Sequence, residues 1–149
     1  MAYEFDWSVI PEALPFLAQG MLVSLALLAA SLVGGLALGI GLALMRLSSL
    51  RWVSALAGAY VSVFRSMPLV LAIFWFYLLV PLLIGAVRGQ ATPIGPMYSA
   101  FAAFVAFEAA YFCEVIRAGI QSIPRGQRSA AQALGLGRFQ AMRYVILPQ

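Results

Sequence analysis

Histidine and lysine are both absent from the 149 residues, and cysteine occurs once, as Cys113. The missing histidine removes the commonest metal ligand and the commonest general base. The missing lysine removes the side chain that a GxxxxGK[ST] loop needs to reach nucleotide phosphates, so this is no conventional P-loop ATPase. A single cysteine forms neither an internal disulfide nor a zinc cluster. With no nucleophile–base pair and no metal set to be found, a membrane enzyme is the least favoured class. Charge is scarce too: 9% of residues are charged and 64% are hydrophobic, against about 25% and 45–50% in a soluble domain. That leaves too little polar material to cover a surface in water, and the bilayer is the natural solvent.

What charge there is has one dominant sign. The net charge is +4, and all nine basic residues are arginine: Arg46, Arg51, Arg65, Arg88, Arg117, Arg125, Arg128, Arg138 and Arg143. They lie between apolar segments and form no basic stripe, which argues against a nucleic-acid partner and for a positive-inside membrane pattern. No repeat, low-complexity tract or linker divides residues 1–149, so they read as one membrane domain. Residues Met1 to Trp7 are acidic where a secretory signal would be basic, and no cleavable signal is read. Residues 1–15 read as an interfacial lead-in, with Tyr3, Phe5 and Trp7 as aromatic anchors and Pro11 and Pro15 as punctuation.

Thirty uncharged residues, Phe16 to Met45, follow; about 20 suffice to cross the hydrocarbon core. Arg46 and Arg51 close this first span. Trp52 to Phe64 carries Ser54, Gly58 and Ser62 every fourth residue; it either lies at the interface or extends the next helix, and the pattern leaves both open. Pro68 disfavours a helical Met67 and breaks the backbone beside Arg65. A second span runs from Leu69 to about Val87, bent near Pro81. Arg88 to Pro96 reads as a loop. A third span covers about Met97 to Ile116 and contains Glu108 and Glu114. With the N-terminus outside, eight arginines fall on the cytoplasmic side and only Arg88 falls outside, which fixes the orientation. The expected fold is therefore all-α and polytopic.

Residues 118–137 form a polar, turn-rich cytoplasmic loop. Pro124 suits the first turn of a helix and Gly135 its C′ position, so the spacing predicts a short helix over 124–134. Another helix begins near Arg138 and heads back toward the membrane as a fourth span, which reads as a truncated chain with two more spans expected.

Four small residues, Ser31, Gly35, Gly39 and Ala43, share one stripe of the first span and allow close helix approach. Packing within the subunit is the plainer reading; a dimer interface is the other. Glu108 near mid-span must face a cavity or a partner, either as a path residue or proton relay, or as a carboxyl bonded to a neighbouring helix. Glu114 and Arg117 share a helix face and suit an ion pair. Arg65 is either a residue at the mouth of a pathway or an ordinary positive-inside anchor.

The segment from Glu114, EVIRAGIQSIPRGQRSAAQALGLGRFQAMRYVILPQ, resembles the EAA loop of ATP-binding-cassette importer permeases. Ala130, Ala131, Gly135, Ile146, Leu147 and Pro148 match the motif, and Ser129 stands where its glutamate would be. FRSMPLV, RAGIQSIPRGQ and ALGLGRFQAMRYVILPQ are similar to the polar amino-acid branch, and YEFDW and EAAYFCEVIRAG resemble its glutamate/aspartate permeases. The resemblance implies a type I importer domain of five spans, paired with itself or with a similar permease subunit. It further implies a cytoplasmic ATPase dimer that binds the ATP, and an amino-acid-binding protein outside. No cofactor is implied for this chain. Gly126, Gln127, Ser129, Ala130, Ala131, Ala133, Leu134 and Gly135 would make the ATPase contact, with Arg65 and Glu108 as candidates for the path. The rival readings are a proton- or ion-coupled secondary transporter relaying through Glu108, and a membrane scaffold that transports nothing.

Overall fold

A computed structural model describes residues 6–90 and 94–149; Tyr3, Phe5 and Pro93 lie outside the described residues. All of its regular structure is helical, in the order α1 (Val9–Arg46), α2 (Arg51–Ser66), α3 (Leu69–Phe74), a π turn (Trp75–Leu79), α4 (Val80–Arg88), α5 (Pro96–Ser122), α6 (Arg125–Ala133), α7 (Arg138–Ala141) and a second π turn (Met142–Ile146). Among the described residues, three stretches are long and apolar enough to cross a membrane: Val9–Arg46, Leu69–Arg88 and Pro96–Ser122.

α1 starts seven residues before the uncharged run, at Val9 rather than Phe16. The Ser8 amide and hydroxyl both donate to Asp6 Oδ1, at 2.9 and 2.7 Å, and anchor the turn that leads into the helix. Pro11 is the third helical residue, where a missing N–H breaks no intrahelical bond, so only Pro15 interrupts the ladder. At 1.5 Å per residue α1 is about 57 Å long, well beyond a ~30 Å hydrocarbon core.

The second span is α3 and α4 joined by the π turn. Pro81 cannot donate to Tyr77, and the i→i+5 bonds of the turn just ahead of it absorb the mismatch. A bend was expected there; what forms is one wider turn. α4 ends on Gly89 at φ +69°. α2 does not extend the second span, because Met67 is extended (ψ 149°) before Pro68. It is a separate helix tied back to the first span, its Ser54 hydroxyl donating to the Arg46 carbonyl at 3.0 Å.

α5 overruns the expected end of the third span. It passes Arg117 and stops at Ser122, where Pro124 forces Ile123 to ψ 124°. Residues 118–122, expected in the loop, are thus the last turn of a spanning helix.

The bundle is held by the long pairing of α1 with α5, with α2 and α3 also against α5. Its buried cluster is made of small and medium side chains: Leu42, Ala43, Ala57, Val61, Ala109, Ala110 and Cys113. The largest apolar side chains, among them Phe16, Leu22, Val33, Trp52, Phe74 and Leu82, point outward. Small inside and large outside is what membrane helices need, since lipid solvates leucine and close backbone approach supplies the packing.

Candidate coupling surface and charged cleft

α6 is built by its two ends. Pro124 occupies the cap position with ψ 139°, and Gly135 turns the chain at φ +79°. The Leu136 amide donates to the Ala131 carbonyl at 3.0 Å and the Gly135 amide to that of Gln132 at 2.9 Å, which is the Schellman closure. The helix rests on α7 and the second π turn. Gly126, Gln127, Ser129, Ala130 and Ala133 are exposed, and Leu134 is 82% exposed. The Ser129 hydroxyl donates to the Arg125 carbonyl at 3.3 Å. Ala131 differs from its neighbours. It is the one buried residue of α6, 3% exposed, so it is a packing residue and not part of the open surface expected of it.

At the arginine-rich ends of the spans, Glu114 sits between two guanidinium groups. Arg117 holds both carboxylate oxygens in a two-point grip, with Nε to Oε2 at 3.1 Å, and also reaches Gln121 Oε1. Arg46 Nη2, from the end of α1, is 3.8 Å from Glu114 Oε2. The Arg46 guanidinium lies directly against Gly58, where an added Cβ would meet its Nη1 and displace the end of the arginine side chain. Arg65 is exposed at the end of α2, its guanidinium carbon 5.5 Å from the centroid of the Tyr111 ring. Arg46, Arg65, Tyr111 and Glu114 border one open cleft of about 400 Å³.

Glu108 is elsewhere. It is half-buried and lies against α1 at Gly35, where an added Cβ would come within 2.9 Å of the Glu108 Cβ. Ser31, Gly35, Gly39 and Ala43 are all buried. At Gly39 an added Cβ would meet the Phe112 Cβ at 2.6 Å, so the stripe faces α5 of the same chain. The structure thus gathers Arg65 with Glu114 and leaves Glu108 apart from both. Among the described residues no cluster of potential metal ligands occurs.

Residues 35–149 match the family model described as binding-protein-dependent transport system inner membrane component. The chain belongs to this family. As an inner membrane component it is 51% identical over 148 residues to the glutamate/aspartate import permease protein GltK of Escherichia coli O157:H7, covering 99% of this chain and 66% of the relative. It is 36% identical to the L-cystine transport system permease protein TcyL of Bacillus subtilis, covering all of this chain and 62% of that one. The crystal structure of an amino acid ABC transporter with histidines aligns with TM-score 0.85 at 31% identity, over 99% of this chain and 65% of that chain. The chain therefore spans just under two thirds of the length of these relatives.

Two features of this inner membrane component were not anticipated from its residues. Arg46 was expected only to close a span, yet it reaches Glu114 on α5; nothing local in sequence signals a partner so distant along the chain. The Tyr60 hydroxyl donates to the Ala106 carbonyl of α5 at 2.7 Å. A lone tyrosine in an apolar helix was the available signal, because a buried hydroxyl needs an acceptor.

Proposed function

We propose that this chain acts in the permease subunit of an ATP-driven importer of polar amino acids, glutamate and aspartate first among them. A separate ATPase dimer would bind and hydrolyse the ATP, and a second, similar permease subunit would complete the pathway. A binding protein would deliver substrate from outside. The chain itself needs no cofactor in this scheme. The observation that carries the reading is α6: a rigidly capped helix beyond the ends of the spans, with an open face of small residues. Such a face admits the wall of a partner's groove, and the Schellman turn lets the helix transmit a rigid-body push. Similarity to GltK supports the substrate class, and 33% identity to GltJ of Escherichia coli, a second glutamate/aspartate import permease protein, supports a paired arrangement.

Ala130 is exposed on α6, so Ala130→Arg adds bulk and charge to the open face without disturbing the packing around Ala131. The full-length variant is expected to insert normally and to lose co-purifying ATPase, with glutamate uptake falling by about ten-fold or more, the factor that ~1.4 kcal/mol of lost coupling gives. Unchanged ATPase retention and uptake would sink the coupling assignment. Uptake that needs no ATPase and collapses with a proton uncoupler would move the function to Glu108-coupled secondary transport.

A further inference from the structure

The face of α6 that turns toward the spans has a different chemistry from its open face. Two adjoining cavities, of about 350 and 480 Å³, lie between α6, α7 and the ends of α1 and α5. Leu47, Ile120, Ile146 and Arg128 line both; Arg138 borders the first and Arg125 the second. One wall is therefore aliphatic and continuous with the spanning helices, and the other is cationic and lies beyond them.

Within residues 115–149 the cations have no counter-charge, since no Asp or Glu occurs from Val115 to Gln149. The ion pairs among the described residues engage Arg46 and Arg117, which leaves Arg125, Arg128 and Arg138 without a carboxylate. Arg125 and Arg128 stand three apart on one helix face, an arrangement that repels unless an anion lies between them. An anion held there would also have an apolar surface directly beneath it.

We infer that this cavity is a binding site for one anionic phospholipid of the cytoplasmic leaflet. Its phosphate would sit among Arg128, Arg138 and Arg125, and the upper part of an acyl chain would lie along Leu47, Ile120 and Ile146. Guanidinium groups pair with phosphate oxygens in two-point contacts, and basic pockets beside spanning helices on the cytoplasmic side suit anionic headgroups. A carboxylate from a protein partner would satisfy the charge but leave the aliphatic wall uncovered, and the open face of α6 points the other way. The lipid would brace α6 against the spans from within and leave that open face free.

The test uses the full-length permease in phosphatidylcholine nanodiscs doped with spin-labelled phosphatidylglycerol or spin-labelled phosphatidylcholine, read as the motionally restricted fraction of label. Wild type is expected to prefer the anionic lipid and to lose that preference at high salt. The preference should fall by about five-fold for each arginine removed in Arg128→Gln and Arg138→Gln, while Arg88→Gln at the other end of the bundle keeps it. Equal restriction of the two lipids in wild type would overturn the site, and that comparison needs no variant to fold. So would displacement of the lipid by millimolar inorganic phosphate, which would mark a simple anion site. Loss of ATPase from a variant carrying both Arg128→Gln and Arg138→Gln, with lipid preference intact, would overturn the lipid site and assign the arginines to a protein partner instead.

Discussion

Gly39 and Gly41 stand two residues apart on α1 and point to different surroundings. An added Cβ at Gly39 would meet the Phe112 Cβ at 2.6 Å and the Ala109 carbonyl at 3.1 Å, whereas at Gly41 nothing lies within 4 Å. Gly39→Ala must therefore push α1 away from α5 along the main pairing of the bundle, at a cost of about 1–3 kcal/mol for overpacking. Gly41→Ala enters open space and should gain a little helix propensity, up to ~1 kcal/mol. Thermal unfolding of the full-length protein in detergent is expected to show a clearly lowered midpoint for the first and an unchanged or raised one for the second. Equal midpoints would mean that α1 and α5 do not approach as closely as described. The same contrast explains why a glycine count says little by itself: among the described glycines, only at Gly35 and Gly39 does an added Cβ meet the backbone of a neighbouring helix.

At the scale of the element, α6 shows what two punctuating residues can fix. Gly135 sits at φ +79° with no atom within 4 Å of an added Cβ, so Gly135→Ala is unfavourable through backbone conformation alone, by about 1–2 kcal/mol. Gly126 is helical, and Gly126→Ala should tighten the helix by up to ~1 kcal/mol. Amide hydrogen exchange over 131–137 is expected to speed up in the first variant and to slow or hold in the second. No change on Gly135→Ala would remove the Schellman turn as the stop. This helix was legible in the sequence because Pro and Gly act locally, and so was the break at Pro68. The end of α5 was not. Arg117 looked like the edge of a span, but Glu114 and Gln121, three and four residues away, satisfy its guanidinium and let the helix run on to Ser122. The start of α1 was hidden for a related reason, since Pro11 marks a boundary only when it falls deeper than the first turn. Ala131 was assigned to the open face on its place in a motif, while the side that α6 turns to α7 is decided by tertiary packing, about which the motif is silent.

For the whole molecule, the distribution of arginines makes a claim about sidedness that the fold carries to both ends of the bundle. Arg46, Arg65, Arg117 and Glu114 meet at one end, with α6 beyond it, while Arg88 and Gly89 close the second span at the other. The positive-inside rule places the crowded end in the cytoplasm. The one native thiol is convenient for testing this, because Cys113 is buried in the α1–α2–α5 cluster and should resist aqueous reagents. Gln90→Cys, in the loop after α4, is expected to react with a membrane-impermeant maleimide in intact cells. Gln127→Cys, on the open face of α6, should stay unlabelled until the membrane is opened, and should then be shielded when the ATPase is bound. Labelling of Gln127→Cys in intact cells would reverse the orientation, and with it both the docking of a cytoplasmic ATPase on α6 and the lipid leaflet that faces Arg128. Sidedness, the coupling helix and the headgroup cavity therefore stand on one topology, and a pair of cysteines tests all three together.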